Sequence, residues 1–160
     1  MHPSASSGLP TLSPEEIRTD LPTRQAKLKW VIVVDESLST GLVVNAAVCM
    51  AAAVGHAIPG VLGPEGKDAS GSVHVGLPWA GCSILASDAE TIHKLRSKAA
   101  EKDGLLVVDM PLPAQTSRVY DEYLGTLAET PADEVVYYAV SIIGPRNKVD
   151  KLVGKLPLLR

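Results

Sequence analysis

Apolar and polar positions along this chain sort into two kinds of segment: short runs that are apolar throughout, and longer stretches in which apolar residues recur every three or four positions. The clearest run is Leu28 to Asp35, β-branched and polar only at its ends. A strand of that kind is covered on both faces, and so belongs at the centre of a parallel or mixed sheet. Runs at 82–86, 104–110 and 135–143 predict further strands, with a weaker alternation at 72–77. Between them the spacing predicts helices over 40–57, over 87–102 and over 117–128, and a short one over 147–153. The second of these opens on Ser87-Asp88-Ala89-Glu90, a capping box, and places Ile92, Leu95 and Ala99 inward. The third carries Tyr120, Leu124 and Leu127 on one side, and the tail at 156–159 is apolar enough to dock on the sheet.

Residues 37–64 contain no Asp, Glu, Lys or Arg. The helix inside this stretch places Val43, Val44, Val48, Met50, Val54 and Ile58 on one broad face, expected to meet the sheet. The opposite stripe is Asn45, Cys49, Ala52 and His56, suited to cover by another element or a second subunit, or to a ligand. Residues 42–58 are short for a bilayer span, rich in Ala and interrupted by Asn45 and His56, which points to a buried core helix.

With 160 residues the chain is expected to form one α/β domain over 27–160, preceded by a flexible N-terminal arm over 1–26 that is rich in Ser, Pro and Thr. Strands alternating with helices predict a single mixed, mostly parallel sheet with helices on both faces. The absence of Phe means that Val, Leu, Ile and Ala must fill the core. Cys49 and Cys82 sit in apolar runs without Cys-x-x-Cys spacing and read as buried, inert thiols of a reducing compartment. The first residues lack a basic region followed by an apolar one, so no secretory leader is expected and the reading is cytoplasmic. A net charge of −3 argues against nucleic acid as a partner of the whole surface. The histidines have no metal-site spacing, and neither a metal nor another cofactor is expected.

Ligands of α/β sheets gather at the carboxyl ends of strands. That rule singles out Asp35, Ser37 and Thr40 after the first strand, Asn45 on the adjoining helix, and Asp109, Gln115 and Thr116 around the end of the 104–110 strand. Asp35 and Asp109 are the acid/base candidates; Ser37, Thr40, Asn45, Gln115 and Thr116 are the ligand-binding ones. Each has a structural alternative: Asp35 can cap the following turn, and Asn45 can bond a neighbouring backbone group. The cluster Lys94, Arg96, Lys98 and Lys102 reads as a solvated helix face. Arg146, Lys148, Lys151, Lys155 and Arg160 make a basic end beside a helix start, where an anion could sit.

Several of these segments resemble the archaeal and eukaryotic (class II) peptidyl-tRNA hydrolases. Val33-Val34-Asp35-Glu36-Ser37-Leu38 and Leu42-Val43-Val44-Asn45-Ala46-Ala47-Val48-Cys49-Met50-Ala51 align with that family's first strand and helix. Ile143-Gly144-Pro145, Asp150-Lys151-Leu152-Val153-Gly154 and the Leu-rich tail match its closing pattern. The resemblance implies that fold, with Asp109 and Gln115-Thr116 standing near the family's Asp-containing motif. It does not carry the chemistry: the family's helix lysines are Leu42 and Val44 here, its Gln and His are Val48 and Ala51, and its arginine after the first strand is Asp35. A bacterial family of uncharacterised small proteins sharing that fold is the better match. The expectation is a non-hydrolase that binds a small molecule or a protein partner, as a homodimer through an apolar helix face and without a membrane. The alternative is an ester or amide hydrolase with an altered site.

Overall fold

The structure, a computed structural model, describes residues 8–160. In chain order its elements are β1 (Leu28–Asp35), α1 (Thr40–Ala57), β2 (Gly66–Lys67), β3 (Val73–His74), β4 (Ser83–Ser87), α2 (Ala89–Ala100), β5 (Leu106–Pro111), α3 (Leu112–Thr116), α4 (Tyr120–Glu129), β6 (Tyr137–Pro145) and α5 (Arg146–Val153). β1 and α1 begin and end where the sequence predicts. α2 opens one residue later than its capping box suggests. Asp88 rather than Ser87 is the cap, its carboxylate accepting from the Thr91 backbone N–H at 2.8 Å and the Thr91 hydroxyl at 2.9 Å.

The main sheet has the order β4-β1-β6-β5. β1 is central, as its unbroken apolar run requires, but the sheet is not mostly parallel. Of the neighbouring pairs only β1–β4 is parallel; β6 is antiparallel to both β1 and β5. The expectation fails at the β5–β6 connection, where a parallel sheet would need a crossover. α3 and α4 instead pack on each other, with α3 against β5, so the chain turns back and enters β6 in the opposite direction. β2 and β3 form a separate antiparallel ribbon.

Two cores result, one per face. Leu28, Trp30, Ile32 and Val34 of β1 point toward α1 and meet Val43, Ala46, Met50 and Val54. Val31 and Val33 point the other way, to Ile92, Leu95 and Ala99 of α2 and Val149 and Val153 of α5. The period-two alternation of β1 thus feeds both layers. Within the first core the Trp30 indole N–H donates to Ser141 Oγ at 2.8 Å, satisfying a buried polar pair. The tail docks as expected: Leu158 bridges to Leu85, and the Leu159 N–H bonds the Ile84 carbonyl along the free edge of β4.

Upstream of β1, residues 8–26 run against this body. Pro10 is buried, and Leu12 packs on the α1-side core. Arg146 donates to the carbonyls of Ala26 and Thr23 at 2.8 and 2.9 Å. Gly76 is required by close approach, since a Cβ there would lie 1.9 Å from the Gly63 carbonyl oxygen. Trp79 closes the same loop, its indole N–H donating to the Gly60 carbonyl at 2.9 Å.

Candidate functional site

The candidate residues do not form one cleft. β1, β4 and β5 point the same way, so their carboxyl ends lie along one edge of the sheet. At the end of β1, Asp35 is buried, and its Oδ1 accepts from the Ser37 N–H at 2.9 Å and the Ser37 hydroxyl at 2.6 Å. This is the turn-capping arrangement, in which carboxylate and hydroxyl satisfy one another. Thr40 is exposed at the start of α1.

Asn45 and Gln115 do come together. Gln115 Nε2 donates to Asn45 Oδ1 at 3.1 Å and to the Leu42 carbonyl at 2.8 Å, tying α3 to the first turns of α1. Gln115 Oε1 is buried without a partner. Thr116 is turned back on its own helix, its hydroxyl donating to the Leu112 carbonyl at 3.2 Å.

Asp109 lies on the opposite face. It shares a row with Val140 and Val33, both in the α2-side core, whereas Asn45 and Gln115 sit on the α1 side. β6 separates it from β1, and two strand spacings are roughly 10 Å. Its Oδ2 accepts from Arg96 Nε at 3.0 Å. The Arg96 guanidinium stands 5.3 Å from the centre of the Tyr137 ring, and His93 packs on the same ring at 5.6 Å. Burial holds the Tyr137 hydroxyl above the ordinary phenol range; Arg96 opposes the shift and Asp109 adds to it. The Tyr123 hydroxyl is raised as well, by burial first and then by Asp109. Both phenols therefore stay protonated at neutral pH, and Asp109 is neutralised by a planar cation rather than free as a base. His93 is half-buried here.

The sequence conceals this cluster because Arg96 stands among solvated lysines on α2. Two signals were present. Arg96 follows Ile92 by four residues, flanking the inward stripe, and it is the one arginine among lysines at 94, 98 and 102.

The face assignment of α1 also needs correction. Val43, Ala46, Met50 and Val54 are buried, but Val44 and Val48, expected on the sheet, are 54% and 63% exposed, with Leu42 at 36%. The helix is long and apolar enough to cross a membrane by composition, yet only 22% of it is buried, so it is not the enclosed core helix expected. Cys49 and Cys82 are likewise exposed rather than buried. No group of three or more His, Cys, Asp or Glu residues able to hold a metal occurs among the described residues.

No curated protein matches the chain. Among solved structures it is similar to a protein of unknown function, Atu0240, from Agrobacterium tumefaciens strain C58. That likeness has a TM-score of 0.76 at 15% identity and covers 82% of this chain and 97% of the other. At that identity the likeness concerns the fold alone. Residues 28–160, from the first residue of β1 through the docked tail, match the family described as protein of unknown function (DUF2000). The chain belongs to that family.

Proposed function

We propose that this protein works by binding rather than by cleaving, on a class II peptidyl-tRNA-hydrolase-like fold whose hydrolytic surface has become a docking surface for a second copy of the chain. The observation that carries the reading is the outer face of α1. The three positions where the resemblance would place two lysines and a glutamine are Leu42, Val44 and Val48, and all three are solvent-facing here. Loss of cations at those positions removes the donors that a polyanionic substrate and a developing oxyanion need. Their replacement by apolar side chains leaves surface that gains free energy when covered. A two-fold contact through a helix with no charged residue brings no like charges together.

Asp109 and Asp35, the acid/base candidates, support the same reading. One is bound to Arg96 and the other to Ser37, and they stand on different strands of the sheet. Cytoplasmic residence and a bacterial source are part of this proposal, as is the absence of a membrane partner.

Sedimentation velocity over the micromolar range tests it. The chain is expected to dimerise, and Val44→Asp with Val48→Asp to give a monomer with unchanged circular dichroism. A wild-type chain that stays monomeric and instead co-sediments with lipid vesicles would replace the second copy with a bilayer surface. Peptidyl-tRNA cleavage abolished by Asp109→Asn would establish the hydrolase alternative in its place.

A further inference from the structure

We propose a second site, on the opposite face of the sheet from α1: the cavity between α2 and α5 binds a small amphipathic anion, an apolar body carrying one carboxylate or phosphate. The cavity is a half-open groove of about 600 Å³, within the volume range of small-ligand sites. Its floor and its rim differ in chemistry. Leu95 and Val153 are buried at the base, and Leu152 and Leu156 pack against the same core. Around them stand Lys94 and Lys98 from α2, and Lys151 and Lys155 from α5 and the segment after it.

The charge at this rim is local, in a chain that is acidic overall. Asp150, the carboxylate on the lining, is already paired with Lys29, and Lys94 reaches Glu90 at 2.5 Å. Lys98, Lys151 and Lys155 have no carboxylate partner among the described residues. The other basic residues near this end serve the fold: Arg146 bonds the carbonyls of Ala26 and Thr23, and Lys148 bonds that of Asp103 at 2.6 Å. The cavity lies at the C-terminal end of α5, whose carbonyls carry negative partial charge; those of Asp150 and Val153 are bonded by the Gly154 and Leu156 N–H groups, and the ammonium groups must outweigh the rest. Three unpaired ammonium groups, from α2, α5 and the segment after α5, thus surround an apolar floor. An inorganic anion would leave that floor uncovered, and a neutral apolar molecule would leave the ammonium groups unanswered, so the combination selects a ligand with both parts.

The test is a titration of the ¹⁵N-labelled full chain with sodium decanoate, followed by amide shifts, and in parallel with inorganic phosphate. Decanoate is expected to shift amides of residues 91–98 and 150–156 saturably, and phosphate to do so far more weakly. Lys98→Glu with Lys155→Glu, both exposed, is expected to weaken decanoate binding about tenfold with the spectrum otherwise preserved. Decanoate shifts confined to α1, no shifts at all, or phosphate binding as tightly as decanoate would each overturn the proposal.

Discussion

The two faces of the sheet are covered by helices that bury themselves alike and differ in what they show outward. α1 buries Val43, Ala46, Met50 and Val54; α2 buries Ile92, Leu95 and Ala99, at the same steps of three and four. Outward, α2 presents Glu90, Lys94, Lys98 and Ala100, the mixture of a solvated helix. α1 presents Leu42, Val44, Asn45, Val48, Cys49 and Ala52, without one formal charge. Holding a helix to this sheet therefore asks only for the inner stripe. Apart from Asn45, which accepts from Gln115 of α3, the outer stripe of α1 makes no side-chain hydrogen bond to another element among the described residues, and its apolar surface is the basis of the proposed interface.

The comparison breaks most visibly if the two cores are not separate. Met50→Ala on one face and Ile92→Ala on the other are each expected to cost about 2–5 kcal/mol of unfolding free energy in denaturant titrations. Because β1 and β6 lie between them, the double variant should equal the sum within about 0.5 kcal/mol. A larger coupling would mean that the faces form one core.

An aspartate scan sharpens the contrast between inner and outer stripes. Val48→Asp is expected to change monomer stability by no more than about 0.5 kcal/mol, whereas Leu95→Asp should prevent stable folding by placing a carboxylate among apolar side chains. Thermal melts read by circular dichroism, at concentrations low enough that the wild-type chain is monomeric, would show both. A large loss for Val48→Asp would refute the exposed placement of that stripe.

The smallest effect concerns the start of α2. Hydrogen bonds from the Thr91 backbone and hydroxyl hold the Asp88 carboxyl below its ordinary range. Its folded pKa is depressed, so its contribution is complete above the unfolded value, about 3.9, and fades as pH falls through the folded one. Asp88→Asn is expected to be slightly less stable than the parent at neutral pH, with the gap closing in acid. A gap that stays constant down to pH 2 or so would remove the carboxylate from this role.

How much of this was legible beforehand differs from element to element. The bounds of β1 and α1 follow from local chemistry: a run of β-branched residues that ends at Asp35, then a turn that Asp35 and Ser37 close between themselves. The rotation of α1 did not follow, because a helix without charges has no polar face to orient it, and Val44 or Val48 could equally have faced inward. On α2 the charges settled the matter, and Ile92, Leu95 and Ala99 lie where the periodicity placed them. For the candidate site, the Asn45–Gln115 contact joins two of the residues singled out. Asp109 stands on the other face of the sheet from that pair, because one residue of strand register decides which face a side chain takes.

The sequence by itself determined the inventory: a central apolar strand, an uncharged helix after it, amphipathic helices later, and a tail able to dock. Each of these rests on interactions between residues close in the chain, where composition and spacing act directly. Only the tertiary structure decided the direction of β6, the pairing of Arg96 with Asp109, the outward turn of Leu42, Val44 and Val48, and the cationic rim between α2 and α5. Those depend on contacts between segments far apart in sequence, and their energies do not exist until the sheet has brought the segments together.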